Sequence, residues 1–526
     1  MTNSFAEIED AHCIFIIGSN TTVAHPLVAT RIYRAKAKGA KILVADPREI
    51  HMARFADVYV RQRLGTDVAL LNGMMHVILE NGWHNQAFID ERTEGFEDFR
   101  KVVEHFPPER AAEISGVKAE DIVKMAEAYA KAEAGSIIYC MGITQHTTGV
   151  DNVKSLANLA MLCGHIGRPS TGVNPLRGQN NVQGACDMGG LPNVYPGYQV
   201  VTVDENRKKF EEAWGASLSP KVGLTVTEMV PGLEEGKVKA MVILGENPMV
   251  SDPDSGHVKH ALEKAEFLMV VDIFPTPTTE MAHLVLPGVC FAEKNGTFSN
   301  SERRVQMVRK AVEPPGEART DWRIFQDIAR RMGYPMSYET AEDVFEEIAR
   351  MTPSYGGMRY ERLQGDGLCW PCPAPDHPGT VYLHKDRFAR GLGLFHAIDY
   401  RPPAEAPDDD YPFWLTTGRV HTHYHTGTMT RRSPHLHRET PEAVMEMHPD
   451  DASSMGIQEG ETVRLSSRRG SILTRVGLTE RVDRGLVFMP FHFAESAANV
   501  LTNTAHDPIA KIPELKVCAV KLEKAA

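Results

Sequence analysis

No apolar run in this chain approaches the roughly 18–20 residues of a membrane span. The longest, such as FLMVVDIF at 267–274, are strand-sized. The N-terminus, MTNSFAEIEDAHCIFIIGSN, lacks a basic leader and a cleavage pattern, so it does not read as a secretory signal. Basic residues are in deficit: 57 Lys and Arg stand against 69 Asp and Glu, a formal net charge of −12. That excludes a general nucleic-acid binder, which needs a basic face, yet leaves room for an anionic ligand in a locally positive site. The glycine fingerprint G-x-G-x-x-G is absent, which disfavours a simple nicotinamide dehydrogenase. Cys369-Trp-Pro-Cys372 is the one C-x-x-C, and it lacks the second pair that a four-thiolate cluster or zinc site needs. The eight cysteines are scattered and read as buried free thiols of a reducing, cytoplasmic compartment.

What is present is a repeated strand–helix succession. The 526 residues exceed one core, and about 150 residues per domain implies roughly three. With 42% hydrophobic and 24% charged residues, the composition is that of an ordinary globular protein. CIFIIG (13–18), KILVA (41–45), VYV (58–60) and SIIYCMG (136–142) read as buried strands. The segments 25–38, 67–82, 114–132 and 150–167 read as the helices between and after them. This pattern predicts an α/β fold with a doubly wound parallel sheet.

The pattern then recurs. KAMVILGENP (239–248) mirrors the first strand and its turn, and FLMVVDIF mirrors KILVADPR. Gly18 to Asp46 is 28 positions and Gly245 to Asp272 is 27. Asn20 and Asn247 each lie two residues past the glycine, and Asp57 and His283 each lie 11 past the aspartate. Two related nucleotide-binding-like units are therefore expected. After the acidic, Pro-rich 401–412, strand signals dominate, with a hairpin over 463–478 turning at Arg469-Gly470 and a strand at 485–493. The expected segments are 1–177 and 178–315 (the two α/β units), 316–410 (a mixed connector with a helix near 321–333) and 411–526 (a β-barrel-like domain).

Several stretches carry chemistry. An acidic residue at the end of the second strand of a βαβ unit can accept from a ribose hydroxyl or a guanine edge. Asp46 and Asp272 occupy that place twice, which weighs against a mere turn or helix cap. In GVNPLRGQNNVQGACDMGG (172–190), Arg177 sits among Asn174, Gln179, Asn180, Asn181 and Gln183. So many amides suit a ligand dense in donors and acceptors, and a guanidinium beside them suits a carboxylate. Four glycines within 178–190 favour close backbone approach. His421, His423 and His425 follow Thr416-Thr417-Gly418-Arg419; metal binding on a strand face and phosphate contact both remain open. Ser299–Arg304 is a second polar loop of this kind.

Together these stretches resemble the catalytic (alpha) subunit of molybdenum- or tungsten-dependent formate dehydrogenase, in the dimethyl sulfoxide reductase superfamily. The resemblance covers essentially the whole chain. Its most specific segment is 172–198; 272–288, 293–306, 415–430 and 506–520 agree, and WPCP (370–373) falls within the pattern. It implies a cofactor of two molybdopterin guanine dinucleotides and interconversion of formate and carbon dioxide. It implies that Arg177 holds the formate carboxylate. It also implies that Gly18, Asn20, Asp46, Arg48, Gly142, Gln145, Gln179, Asp272, Thr276, Arg419, His423, Asn499 and Lys511 approach the two nucleotides. No protein ligand to the metal is assigned in this chain. The implied partners are electron-transfer subunits with iron–sulfur or flavin centres.

One departure stands out. The family's N-terminal four-cysteine segment for a [4Fe–4S] cluster, and the cysteine or selenocysteine that ligates the metal, have no counterpart here. The expectation is a fragment read from downstream of an in-frame selenocysteine codon, or a chain completed by a separate small subunit, and inactive alone. The alternatives are another oxidoreductase of the superfamily, such as a nitrate or arsenate reductase, and a non-catalytic pterin-binding scaffold.

Overall fold

Alternating burial explains why the first strand is apolar throughout. In Cys13–Ile17 (β1), residues 13, 15 and 17 enter one hydrophobic core and residues 14 and 16 enter another. A strand covered on both faces has no polar side to show. The same holds for Lys41–Ala45 (β2), which is joined by Val58–Val60 (β3), Gly135–Tyr139 (β4) and Gly172–Pro175 (β5). All five pair in parallel, in the order β3-β2-β1-β4-β5. Helices Pro26–Ala37, Asp67–Glu80, Ala119–Ala130 and Gly149–Leu162 accompany them. The single helix expected over 114–132 is instead two, Pro108–Ser115 and Ala119–Ala130. Gly116, at φ 75°, caps the first and breaks the run.

The computed structural model describes residues 1–525. They form two compact units: one of Met1–Leu176, Val250–Gly256 and the residues from Tyr382 onward, the other of Arg177–Met249 and His257–Val381.

The second unit holds a three-stranded parallel sheet of Ala240–Leu244 (β6), Phe267–Asp272 (β7) and Leu284–Pro287 (β8), with β7 central. Its core includes Val230, Leu233, Ile243, Val258, Leu262, Leu268 and Val270. Beside it in sequence, Gly296–Ser299 (β9), Arg304–Val308 (β10) and Leu368–Cys369 (β11) form an antiparallel ladder.

In the first unit, the C-terminal strands close into a six-stranded barrel. They are Phe413–Gly418 (β12), Val444–Met447 (β13), Thr462–Ser466 (β14), Ser471–Leu478 (β15), Leu486–Pro490 (β16) and Cys518–Lys524 (β17). Their order is β12-β16-β13-β15-β14-β17. Strands β14 and β15 form the hairpin expected from the sequence, closed where Ser467 N–H donates to Gly470 O at 2.9 Å. Strict alternation on β15 sends Ile472, Thr474 and Val476 inward.

Arg48, just past β2, ties the barrel to the N-terminal sheet. Its guanidinium forms a two-pronged pair with Glu446 of β13 and lies 4.0 Å from the Phe488 ring centroid. The two side chains are 8% and 18% exposed, so removing Arg48 leaves a desolvated carboxylate with the weaker partner Arg481, at 3.4 Å. Arg48→Met is expected to lower unfolding free energy by about 3 kcal/mol in a denaturant titration.

Candidate functional site

The order of the five-stranded sheet reverses between β1 and β4, and ligands of doubly wound sheets bind beyond the carboxyl ends at such a point. Gly18 and Gly142 stand there, one after each strand. Gly142 N–H donates to Gly18 O at 3.1 Å, and a methyl added to Gly142 would lie 2.6 Å from the Gly18 Cα. Gly18 also has φ +56°, a backbone state that favours glycine. Asn20 follows as the N-cap of the turn Thr21–Ala24.

Asp46 ends β2 on the same edge, and its Oδ1 accepts from Arg48 N–H at 3.0 Å. Burial pushes its carboxyl up to about 6, against the pull of Arg48 and Lys516. Lys516 was missed by sequence reasoning, although it lies within a stretch that carries the resemblance. Its Nζ donates to Thr417 O at 2.7 Å and its N–H to Gln145 O. Burial, reinforced by the nearby Arg419 charge, lowers its ammonium to about 8. The edge therefore gathers Gly18, Asn20, Asp46, Gly142, Gln145, Arg419 and Lys516. Two cations that repel each other on a sheet's carboxyl edge are chemically suited to an anion such as a pyrophosphate.

The second unit repeats two features of this edge. Gly18 N–H donates to Ala45 O, and Gly245 N–H to Val271 O, each acceptor one residue before the aspartate. Gly245 has φ +61°. Asp57 exchanges two hydrogen bonds with Ile42, its carboxylate accepting and its N–H donating; His283 does the same with Leu268 through Nδ1. Asp272 Oδ1 accepts from Ile273 N–H at 2.7 Å. Thr276 is buried in a reciprocal turn with Thr279, and Asn247 Oδ1 accepts from Thr278 at 2.7 Å.

Arg177 opens the second unit, half-buried. Its N–H donates to Ser301 Oγ at 2.9 Å, and its Nε and Nη2 donate to Gln183 Oε1 at 3.3 and 3.2 Å. Asn181, at φ 64°, starts the helix Val182–Asp187 and accepts from Ser299 N–H at 2.9 Å. The polar loop 299–304 thus braces the Arg177 loop. Its Arg303 is fully buried and donates to the carbonyls of Trp370, Thr380 and Val381, a structural role. Gln179 is half-buried in the same loop.

The remaining expected positions divide by what their side chains hold. Asn499 donates to Val250 O and Ser251 O at 2.9 and 2.8 Å, and Arg48 is committed to Glu446. Lys511 takes φ +59° in a tight turn onto Asp507 O. Arg419 lies 5.9 Å from the ring centroids of both Tyr424 and Phe491. The three alternating histidines lie past the end of β12 in an irregular segment, not on a strand face. His423 donates from Nε2 to Thr440 O at 2.7 Å, and burial lowers its imidazole. Among the described residues, no group of three His, Cys, Asp or Glu is arranged to hold a metal. All eight cysteines are free; Cys13, Cys163, Cys369, Cys372 and Cys518 are buried and Cys140, Cys186 and Cys290 are half-buried. Among the described residues, no helix is long and apolar enough to cross a membrane.

Glycine-tipped edges at the carboxyl ends of parallel strands are the frame of a nucleotide-binding class. Residues 1–331 match the family model "Molybdopterin oxidoreductase", and residues 413–519 match "Molydopterin dinucleotide binding domain". The chain belongs to the molybdopterin oxidoreductase family. It is 54% identical over 528 residues to "F420-dependent formate dehydrogenase 1 subunit alpha" of Methanococcus maripaludis, covering 100% of this chain and 78% of that one. It is 40% identical over 533 residues to "Formate dehydrogenase H" of Escherichia coli, covering 100% of this chain and 74% of that one. The solved acetylene hydratase from Pelobacter acetylenicus shares the fold, with TM-score 0.77, 21% identity, and coverage of 99% of this chain and 81% of that one.

Proposed function

We propose that this chain is the catalytic alpha subunit of a molybdopterin-dependent formate dehydrogenase, oxidising formate to carbon dioxide or running the reverse. The observation that carries the reading is Arg177, braced by Gln183 and Ser301 within a chain 54% identical over 528 residues to a formate dehydrogenase alpha subunit.

The residues fit the cofactor that the family implies. Gly18 and Gly142 leave a cradle that a methyl would fill, and Lys516 beside Arg419 supplies charge for a pyrophosphate. Asp46 and Asp272 are suited to guanine or ribose donors, one on each edge. This supports two molybdopterin guanine dinucleotides carrying molybdenum or tungsten. When bound, that group takes the two electrons released by formate. The protein's share is to bind and orient. Arg177 takes the carboxylate by charge and by paired N–H donors. Electrons pass on to an iron–sulfur or flavin subunit. The eight free cysteines support a cytoplasmic setting.

The test is the holoenzyme, purified with its partner subunits, assayed for formate-dependent reduction of a one-electron dye. Formate oxidation in proportion to metal and pterin content is expected. Full cofactor loading with no formate oxidation overturns the reading, and reduction of nitrate or arsenate in its place assigns another branch of the family.

Lys516 makes the dinucleotide site pH-sensitive. Its ammonium is lowered to about 8, and an anion binds the protonated form better. Anion affinity should therefore be full below that pH and fall above it, by at most about tenfold per pH unit. With pyrophosphate as probe, the rise in melting temperature should shrink above pH 8, and Lys516→Met should flatten that dependence. An unchanged profile in Lys516→Met removes Lys516 from the anion site.

A further inference from the structure

Asp187 is among the most enclosed acids of the second unit, 1% exposed at the end of the helix that starts at Asn181. Four donors converge on its two oxygens. Gln183 Nε2 and Tyr198 OH reach Oδ1, each at 2.8 Å. Tyr355 OH and Trp370 Nε1 reach Oδ2 at 2.6 and 2.7 Å. Tyr355 also meets Ser299 Oγ at 2.8 Å, and Ser299 N–H donates to Asn181 of the Arg177 loop at 2.9 Å.

The consequence runs through Gln183. Its amide nitrogen has two hydrogens; one goes to Asp187 and the other to Tyr198 OH at 3.0 Å. With both hydrogens taken on that side, the amide oxygen faces the other way, toward Arg177. A carboxylate accepts only, so it dictates this orientation. An Asn in its place would present both an acceptor and a donor. Trp370 can only donate, so the Asn oxygen would turn to Trp370 and Tyr355. The Asn nitrogen would then face Gln183, whose amide must flip. Its NH2 would point at a guanidinium, donor against donor.

We propose that Asp187 is a positioning residue for substrate binding: it sets the Gln183 amide so that an acceptor holds the Arg177 guanidinium in the pose that takes the carboxylate. This rests on the formate reading of Arg177 and adds to it a buried acid that acts through Gln183.

The test uses the holoenzyme with its partners. Two quantities are read: the formate KM, and the inhibition constant of azide, a triatomic anion with no hydride to give. Asp187→Asn and Gln183→Leu should each raise both by about tenfold, the scale of one lost charge-assisted hydrogen bond. The kcat should stay within about threefold, with metal and pterin content unchanged. The double variant should match either single one, because both break the same relay. Multiplying effects mean that Asp187 acts independently, and overturn the proposal. Unmoved constants in both variants, while Arg177→Lys raises the formate KM, overturn the relay and leave the Arg177 reading standing. An unmoved formate KM in Arg177→Lys removes that reading, and the relay with it. Should Asp187→Asn accumulate without cofactor, Tyr198→Phe carries the test. It deletes only the hydroxyl that takes the second Gln183 hydrogen and donates to Asp187, leaving the direct Gln183–Asp187 bond, and should raise both constants by a smaller factor; no change overturns the proposal.

Discussion

Arg177→Ala is expected to lower kcat/KM for formate by about a thousandfold, or roughly 4 kcal/mol of lost transition-state stabilisation. The size follows from what is removed. Formate has one charged group, and Arg177 supplies both the opposite charge and a planar donor fork. Losing one partner of a desolvated charged contact costs about 2–5 kcal/mol. The effect should divide unevenly. Formate is an anion and carbon dioxide is neutral, so the attraction is greatest before reaction and fades as product forms. Most of the loss should therefore appear in KM, by about a hundredfold, and the rest in kcat through lost orientation. Arg177→Lys keeps the charge but not the fork and should fall between. Metal and pterin content should match wild type in both variants. Unchanged formate kinetics in Arg177→Ala would refute the assigned role.

The contrast between the two edge aspartates, Asp46 and Asp272, and the helix-end Asp187 shows what a sequence reveals. The N-terminal strands were legible because burial on both faces leaves five apolar residues in a row, as in Cys13–Ile17. The mirrored edges were legible because chain spacing is conserved in geometry: the residue 11 past each aspartate returns to the second residue of the preceding strand, Asp57 to Ile42 and His283 to Leu268. The barrel hairpin was legible from strict alternation and a turn. Partners far along the chain were not. Arg48 meets Glu446 across 398 positions, so nothing local told that its guanidinium is spent on the barrel. Asp187 meets Tyr355 and Trp370 across 168 and 183 positions, and nothing in the glycines and amides around it marks those partners. Lys516 was hidden for another reason. A lysine in a turn ahead of a strand is ordinary in sequence, and only folding encloses its ammonium beside Arg419.

The same logic makes Gly142→Ala the sharpest probe of the dinucleotide edge. Gly142 is not among the residues with positive φ, so its requirement is room rather than a left-handed backbone. An added methyl would stand 2.6 Å from both the Cα and the carbonyl oxygen of Gly18. Neither is the end of a flexible side chain, so the tips of β1 and β4 must part. That separation breaks the Gly142-to-Gly18 hydrogen bond at the point where strand order reverses. Overpacking of this kind costs about 1–3 kcal/mol, and here it falls on the cradle itself. The body of the sheet should survive, because Cys13–Ile17 keeps its register with Gly135–Tyr139 below the tip. The expected result is a folded protein retaining less than about a tenth of the wild-type pterin and metal, with formate turnover lost in proportion. Gly296→Ala is the matched control, since a methyl there meets nothing within 4 Å. Full cofactor content in Gly142→Ala would mean that the dinucleotide does not use the edge where β1 and β4 meet, and the assignment of Gly18, Asn20 and Asp46 to it would go as well.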